Sequence, residues 1–112
     1  MKRESIGELE ELVLLTVGSL ISDAYAIIIL NEIKQSTGRS MDVTAIHSVL
    51  RRLEKKGLVS SSMGGATKER GGRRKRFFIL NQAGRSVLDD VMSLRIELYN
   101  KIPKLAFVSL FS

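Results

Sequence analysis

Apolar residues in the first part of the chain recur at steps of three and four. Ile6, Leu9, Leu12, Val13, Leu15, Thr16, Val17 and Leu20 share one side of a 3.6-residue repeat, which predicts a helix from about Ser5 to Ile21 with Ser5 as N-cap and Glu8 as its capping-box partner. Ser22 and Asp23 start a second helix with Ala26, Ile27, Leu30 and Ile33 on its inner side and Asn31, Glu32, Lys34 and Gln35 outside. Gly38 stops it at the left-handed position that follows a helix. Asp42 caps a third helix in which Val43, Ile46, Val49, Leu50 and Leu53 form a buried stripe, and Lys55, Lys56 and Gly57 supply a cationic last turn and a stop. Three such helices in succession point to a helix-turn-helix core.

The period changes after Gly57. Leu58 to Met63 and Lys75 to Leu80 read as short strands, the second strongly so through Phe77, Phe78 and Ile79. The glycine-rich, basic stretch Gly64 to Arg74 joins them as a hairpin. Asn81 then caps a last helix whose apolar residues Val87, Leu88, Val91, Leu94, Leu98 and Ile102 run at near-heptad spacing until Pro103 ends it. A stripe that long outside a compact core calls for a second copy of the chain, so these six residues are the predicted dimerisation face. The tail after Pro103 is apolar at Leu105, Phe107, Val108, Leu110 and Phe111, which predicts docking on the dimer or continuation into a longer chain. The expected fold class is mainly α with a small β-hairpin, divided into residues 1–80 and a C-terminal helix and tail at 81–112.

Composition narrows the chemistry. The 112 residues allow one domain plus an appended helix, and 44% hydrophobic with 27% charged residues is the balance of a folded protein rather than a disordered one. With no cysteine and a single histidine, thiolate catalysis, disulfides and cysteine-ligated zinc are excluded, and His47 has no companions with which to hold a metal. No cofactor is expected. Glu10 with Glu11 and Asp89 with Asp90 are neighbours on helices, where successive side chains diverge, and no nucleophile or phosphate-loop motif is present. An enzyme is therefore not expected. Glu4, Glu8, Glu10 and Glu11 sit where a signal peptide would be positive or neutral, and Asp23 interrupts the apolar run well short of a membrane span. A cytoplasmic protein without a membrane partner is the expectation.

Charge is uneven along the chain. The net charge is +6, and between Arg51 and Arg76 ten cations face only Glu54 and Glu69, so the whole excess lies in this stretch. A localised basic region of this kind points to a polyanion. A helix that enters the major groove needs small or polar residues in its first exposed turns and cations farther on. Thr44, Ala45 and Ser48 meet the first need, with His47 beside them, and Arg51, Arg52 and Lys55 the second. In the hairpin, Gly71 and Gly72 permit tight turns, and Lys68, Arg70, Arg73, Arg74 and Lys75 carry the charge that a narrow, negative minor groove attracts.

Several segments together resemble one known family. Gly7-Glu8-Leu9-Glu10-Glu11-Leu12-Val13-Leu14-Leu15, Asp23-Ala24-Tyr25, Ala45 through Val59 with its Arg52-Leu53-Glu54-Lys55-Lys56-Gly57-Leu58-Val59 ending, Glu69-Arg70-Gly71-Gly72-Arg73-Arg74 and Ala83-Gly84-Arg85 are similar to the PadR family of transcriptional regulators, over about Gly7 to Arg85. The resemblance implies a winged helix-turn-helix, a homodimer joined through its C-terminal helix, and repression of nearby genes through double-stranded DNA. Twofold symmetry would demand an inverted-repeat operator. Thr44, His47 and Ala26-Ile27 depart from what the family usually carries, so no operator sequence is transferred. An effector between the two C-terminal helices, near Met92, Leu94 and the Phe107 to Phe111 tail, competes with plain dimer packing. A winged helix that binds RNA or a protein is the alternative to the DNA reading.

Overall fold

The computed structural model describes residues 6–64 and 75–104. Helices α1 (Glu8–Ser19), α2 (Ala26–Thr37) and α3 (Val43–Lys55) lead into strands β1 (Val59–Met63) and β2 (Arg76–Leu80), and α4 (Gln82–Asn100) follows. The expected order of elements is present, and the mainly helical class with one hairpin holds.

Local chemistry sets each boundary. α1 begins later than expected: Gly7 is its N-cap, and the side chain that reaches back to the cap amide is Glu10, whose Oε1 accepts from Gly7 N at 2.8 Å. Glu8 instead meets Arg39; Ser5 lies outside the described residues. The inner face of α1 is also rotated from the expected one, for Leu14 is wholly buried and Leu15 is 39% exposed. α2 begins at Ala26 rather than at Ser22, because the residues before it are held extended beside the hairpin. Phe78 N donates to Ala24 O at 3.1 Å, and Tyr25 forms a bridge with Phe77. On α2 the buried residues are Ala26, Ile29 and Ile33, whereas Ile27 is exposed. Gly38 follows at φ 77, the left-handed conformation that only glycine takes without strain, and its N–H closes the helix on Lys34 O. Asp42 caps α3 through its backbone, and Ile46, Val49, Leu50 and Leu53 are buried as predicted, while Val43 at the first turn is exposed.

The core lies where α1, α2 and α3 meet, closed by Ala24, Leu58, Val59 and Phe78 from the hairpin side and by Val87 and Leu88 of α4. β1 and β2 pair antiparallel in the register Val59 with Leu80 through Met63 with Arg76. Asn81 fastens α4 to this base: its Oδ1 accepts from Gly84 N and its Nδ2 donates to Gly57 O, both at 2.9 Å. Gly84 is buried against the base of the hairpin, where an added Cβ would collide with the carbonyl oxygen of Leu58, just before β1, and with Leu80 of β2. Beyond Val91 the helix leaves the core, and it ends at Asn100 ahead of Pro103.

Candidate nucleic-acid interface

Burial of Ile46, Val49, Leu50 and Leu53 dictates what α3 can present. The helical repeat sends Thr44, Ser48, Arg51 and Lys55 to the opposite side, and Thr44, Arg51 and Lys55 are exposed there. His47 and Glu54 lie on the flank facing the hairpin; Ala45, Arg52 and Lys56 lie on the flank facing α1. One row therefore carries two small polar residues followed by two cations, and both flanks are tied to neighbouring elements.

On the hairpin flank, Glu54 Oε2 accepts from Ser61 Oγ at 2.6 Å, and Ser61 Oγ accepts from Arg76 Nη1 at 2.9 Å. This chain links α3 to both strands and fixes the hairpin relative to the helix. Between them opens a groove of about 390 Å³ lined by His47, Arg51, Glu54, Arg76 and Phe78. A second groove of about 300 Å³ continues past His47, Lys75 and Arg76 to the N-terminal end of α2, where Tyr25, Ile27 and Val43 give it an apolar floor. Tyr25 organises this corner: Phe77 packs edge-on against its ring with centroids 6.0 Å apart, and Lys75 Nζ stands 5.3 Å from its centroid. Tyr25 and Arg76 were not among the residues expected to form the site. Only their places, at the N-cap of α2 and on the strand face shared with Phe78, reveal their part in it.

On the α1 flank, Arg52 Nε lies 3.4 Å and Lys56 Nζ 3.0 Å from the two carboxylate oxygens of Glu10. Arg52, expected to face DNA, makes this contact with α1 while 55% of its side chain stays exposed, and Lys56 is the more covered of the two at 27%. Burial pushes the Glu10 carboxyl up, and the Gly7 amide, Lys56 and Arg52 outweigh that effect and hold it below the usual carboxylate range. The sequence did contain a signal for this residue: Glu10, Val13, Leu14 and Val17 follow one another at helical steps, which puts an acid in line with the core.

The other expected site residues divide clearly. Ala45 and Ser48 are half-buried and Lys75 half-buried at the hairpin base; Lys68, Arg70, Arg73 and Arg74 lie outside the described residues. Of the predicted dimerisation face, Val87 and Leu88 are buried in the chain's own core and so are not available to a second copy. Val91 is half-buried, while Leu94, Leu98 and Ile102 are exposed. Among the described residues no group of acids and histidine is placed to hold a metal, and no helix is long and apolar enough to cross a membrane.

The family described as "Transcriptional regulator PadR-like family" matches residues 13–90. A PadR-like transcription factor from Bacteroides fragilis is 23% identical, with 82% of this chain covering 84% of that one at a TM-score of 0.70. A PadR family transcriptional regulator from Eggerthella lenta is likewise 23% identical, with 88% of this chain covering 85% of that one at 0.66. Bacillus subtilis PadR in complex with operator DNA is 17% identical; 79% of this chain covers 48% of it, at 0.62. No curated protein matches the chain. At these identities the structural likeness bears on the fold, and the fold in common is the winged helix-turn-helix.

Proposed function

The chain belongs to the PadR-like family of transcriptional regulators, and from that premise we propose that it binds double-stranded DNA as a homodimer and represses the genes beside its operator. The family's members are regulators rather than enzymes. The observation that carries the DNA reading is the outward row of α3, where Thr44 and Ser48 precede Arg51 and Lys55 on a helix whose opposite face is core. Laid in the major groove, such a row brings short side chains to base edges and cations to phosphates. Ala45 lets the backbone approach, and His47 lies at the hairpin side of the same turns. Lys75, together with Lys68, Arg70, Arg73 and Arg74, which fall between the two strands in sequence, supplies the proposed wing contacts, toward the minor groove.

Dimerisation is proposed through Leu94, Leu98 and Ile102, the part of the predicted stripe that the core leaves exposed, with Val91, packed partly against the core, at its inner edge. Two copies about a twofold axis would read half-sites roughly 34 Å apart, or a multiple of the helical turn, as an inverted repeat. A dimer seated on a promoter blocks access to it, which is the proposed means of repression, in the cytoplasm. Met92 and Leu94 are the proposed border of an effector site between the two helices, and no cofactor is required for any of these steps. In this scheme residues 1–80 are the proposed reading unit and 81–112 the proposed pairing unit, with Val87 and Leu88 of the latter seated in the core of the former.

Selection from a random duplex library tests it. An enriched inverted repeat, bound with a steep salt dependence, is the expected result. Arg51→Ala and Lys55→Ala should each lower the log–log salt slope by about 0.9. Thr44→Ala and Ser48→Ala should change preference among sequences by about 1 to 3 kcal/mol per lost base contact and leave random-sequence affinity nearly as it was. Tighter binding to single-stranded or structured RNA than to any duplex would overturn the DNA reading in favour of an RNA-binding winged helix.

A further inference from the structure

The first turn of α1 carries three acids, and each holds a cation from a different part of the fold. Glu8 accepts from Arg39 Nη2, in the turn between α2 and α3, at 3.1 and 3.3 Å. Glu11 accepts from Arg95 of α4 at 2.9 Å. Glu10 accepts from Gly7 N, Arg52 Nε and Lys56 Nζ at 2.8, 3.4 and 3.0 Å. The Glu8 pair is solvated on both sides, whereas the Glu10 side chain is only 9% exposed. A carboxylate taken out of water in this way loses hydration, and an apolar residue on the inner face beside Val13 and Leu14 would meet no such cost. Stability alone gives a weak account of its presence.

The second row of cations on α3 gives a better one. Arg51 and Lys55 project outward; Arg52 and Lys56, one residue on from each, lie on the α1 flank and carry the same charge close to the same surface. With both rows facing a duplex, the helix would gain phosphate contacts that are indifferent to sequence and could be satisfied at more than one roll angle in the groove. We infer that Glu10 is a positioning residue for DNA recognition: it clamps the C-terminal half of α3 to α1 and keeps Arg52 and Lys56 off the phosphate backbone. Discrimination is the ratio of operator binding to random-sequence binding, and withholding two cations lowers the second without touching the residues that read bases. Glu11 and Arg95 anchor α4 to the same turn, so the recognition helix and the helix proposed to pair the protomers share one brace.

The inference rests on the DNA-binding reading above, and a salt series on a random-sequence duplex, read by fluorescence anisotropy with the full chain, separates the two. Arg52→Gln with Lys56→Gln should leave the log–log slope at its wild-type value. Glu10→Gln should tighten random-sequence binding, steepen the slope by about 0.9 for each released cation that reaches a phosphate, and reduce preference for the selected operator. The triple variant should return to the wild-type slope. Glu8→Gln, which changes the net charge equally in the same turn, should not steepen it. A drop in slope for the Arg52 and Lys56 pair overturns the inference, because those cations would then be phosphate contacts already. A lower Tm for Glu10→Gln with an unchanged slope overturns it too, by reducing Glu10 to a structural residue. Should Glu10→Gln fail to fold, the Arg52 and Lys56 pair decides alone. A wild-type chain that binds no duplex overturns the function reading, and the inference with it.

Discussion

A carboxylate that stays ionised inside a fold makes stability depend on pH in a definite direction. Glu10 is held below its ordinary value of 4.5 in the folded chain, so on acidification the unfolded chain takes up this proton first. Its contribution is complete at neutral pH, begins to fade as pH falls toward the ordinary carboxylate range, and is lost once pH has passed below the depressed folded value. Glu10→Gln should therefore flatten the acid side of a Tm-against-pH curve, and an equally steep acid limb in the variant would show that other carboxylates control it. At this scale the sequence is an uneven guide. Period alone finds Ile46, Val49, Leu50 and Leu53, because four buried residues in thirteen fix the face of α3 firmly. On α1 and α2, apolar runs such as Leu12 to Leu15 and Ile27 to Leu30 contain more hydrophobic residues than the interior can take, so Leu14 and Ile29 are buried while Leu15 and Ile27 are not. The partners Glu10 finds lie 42 and 46 residues away, and no local pattern encodes that distance.

Elements begin and end for reasons that differ in how local they are. Gly38 and Asn81 act on their own helices, so both were legible: one stops α2 in the left-handed conformation and the other caps α4 through Gly84 N. The start of α2 was not, since Ala24 and Tyr25 are drawn into extended backbone by Phe77 and Phe78 more than fifty positions later. Ser22 and Asp23 are good caps that the tertiary pairing overrides. Gly84 shows the same dependence on distant neighbours. It sits in an ordinary helical turn, and only the approach of Leu58 and Leu80 excludes a side chain there. Gly84→Ala, which would stabilise an isolated helix, should instead destabilise this protein by about 1 to 3 kcal/mol through overpacking, measured by denaturant unfolding. An unchanged or raised midpoint would mean that α4 slides off the base of the hairpin without penalty.

For the whole molecule, the length of α4 decides what kind of object the protein is. Nineteen residues make a rod of about 28 Å, of which the first half is seated on the core and the second half carries Leu94 and Leu98 into solvent, with Ile102 exposed just past its end. Leu94→Glu with Leu98→Glu should convert a dimer to a folded monomer in sedimentation equilibrium, remove the concentration dependence of Tm, and weaken operator binding more than random-sequence binding. A wild-type chain already monomeric at micromolar concentration would contradict the pairing. The hairpin has a consequence of another kind. One side of β2 is met by Ala24 and Tyr25, but among the described residues no strand lies along the outer side of β1, which leaves a row of backbone donors and acceptors open to any other extended chain. That row is five residues long and has Ser60, Ser61 and Ser62 at its centre, a short and polar edge on which cross-molecular strand pairing gains little from side chains. Two β-branched apolar residues there would turn it into a template: Ser60→Val with Ser62→Val should leave Tm nearly unchanged yet bring on light scattering at concentrations where the wild-type solution stays clear. The serine triplet thus governs whether the folded protein stays dispersed when crowded with its own copies.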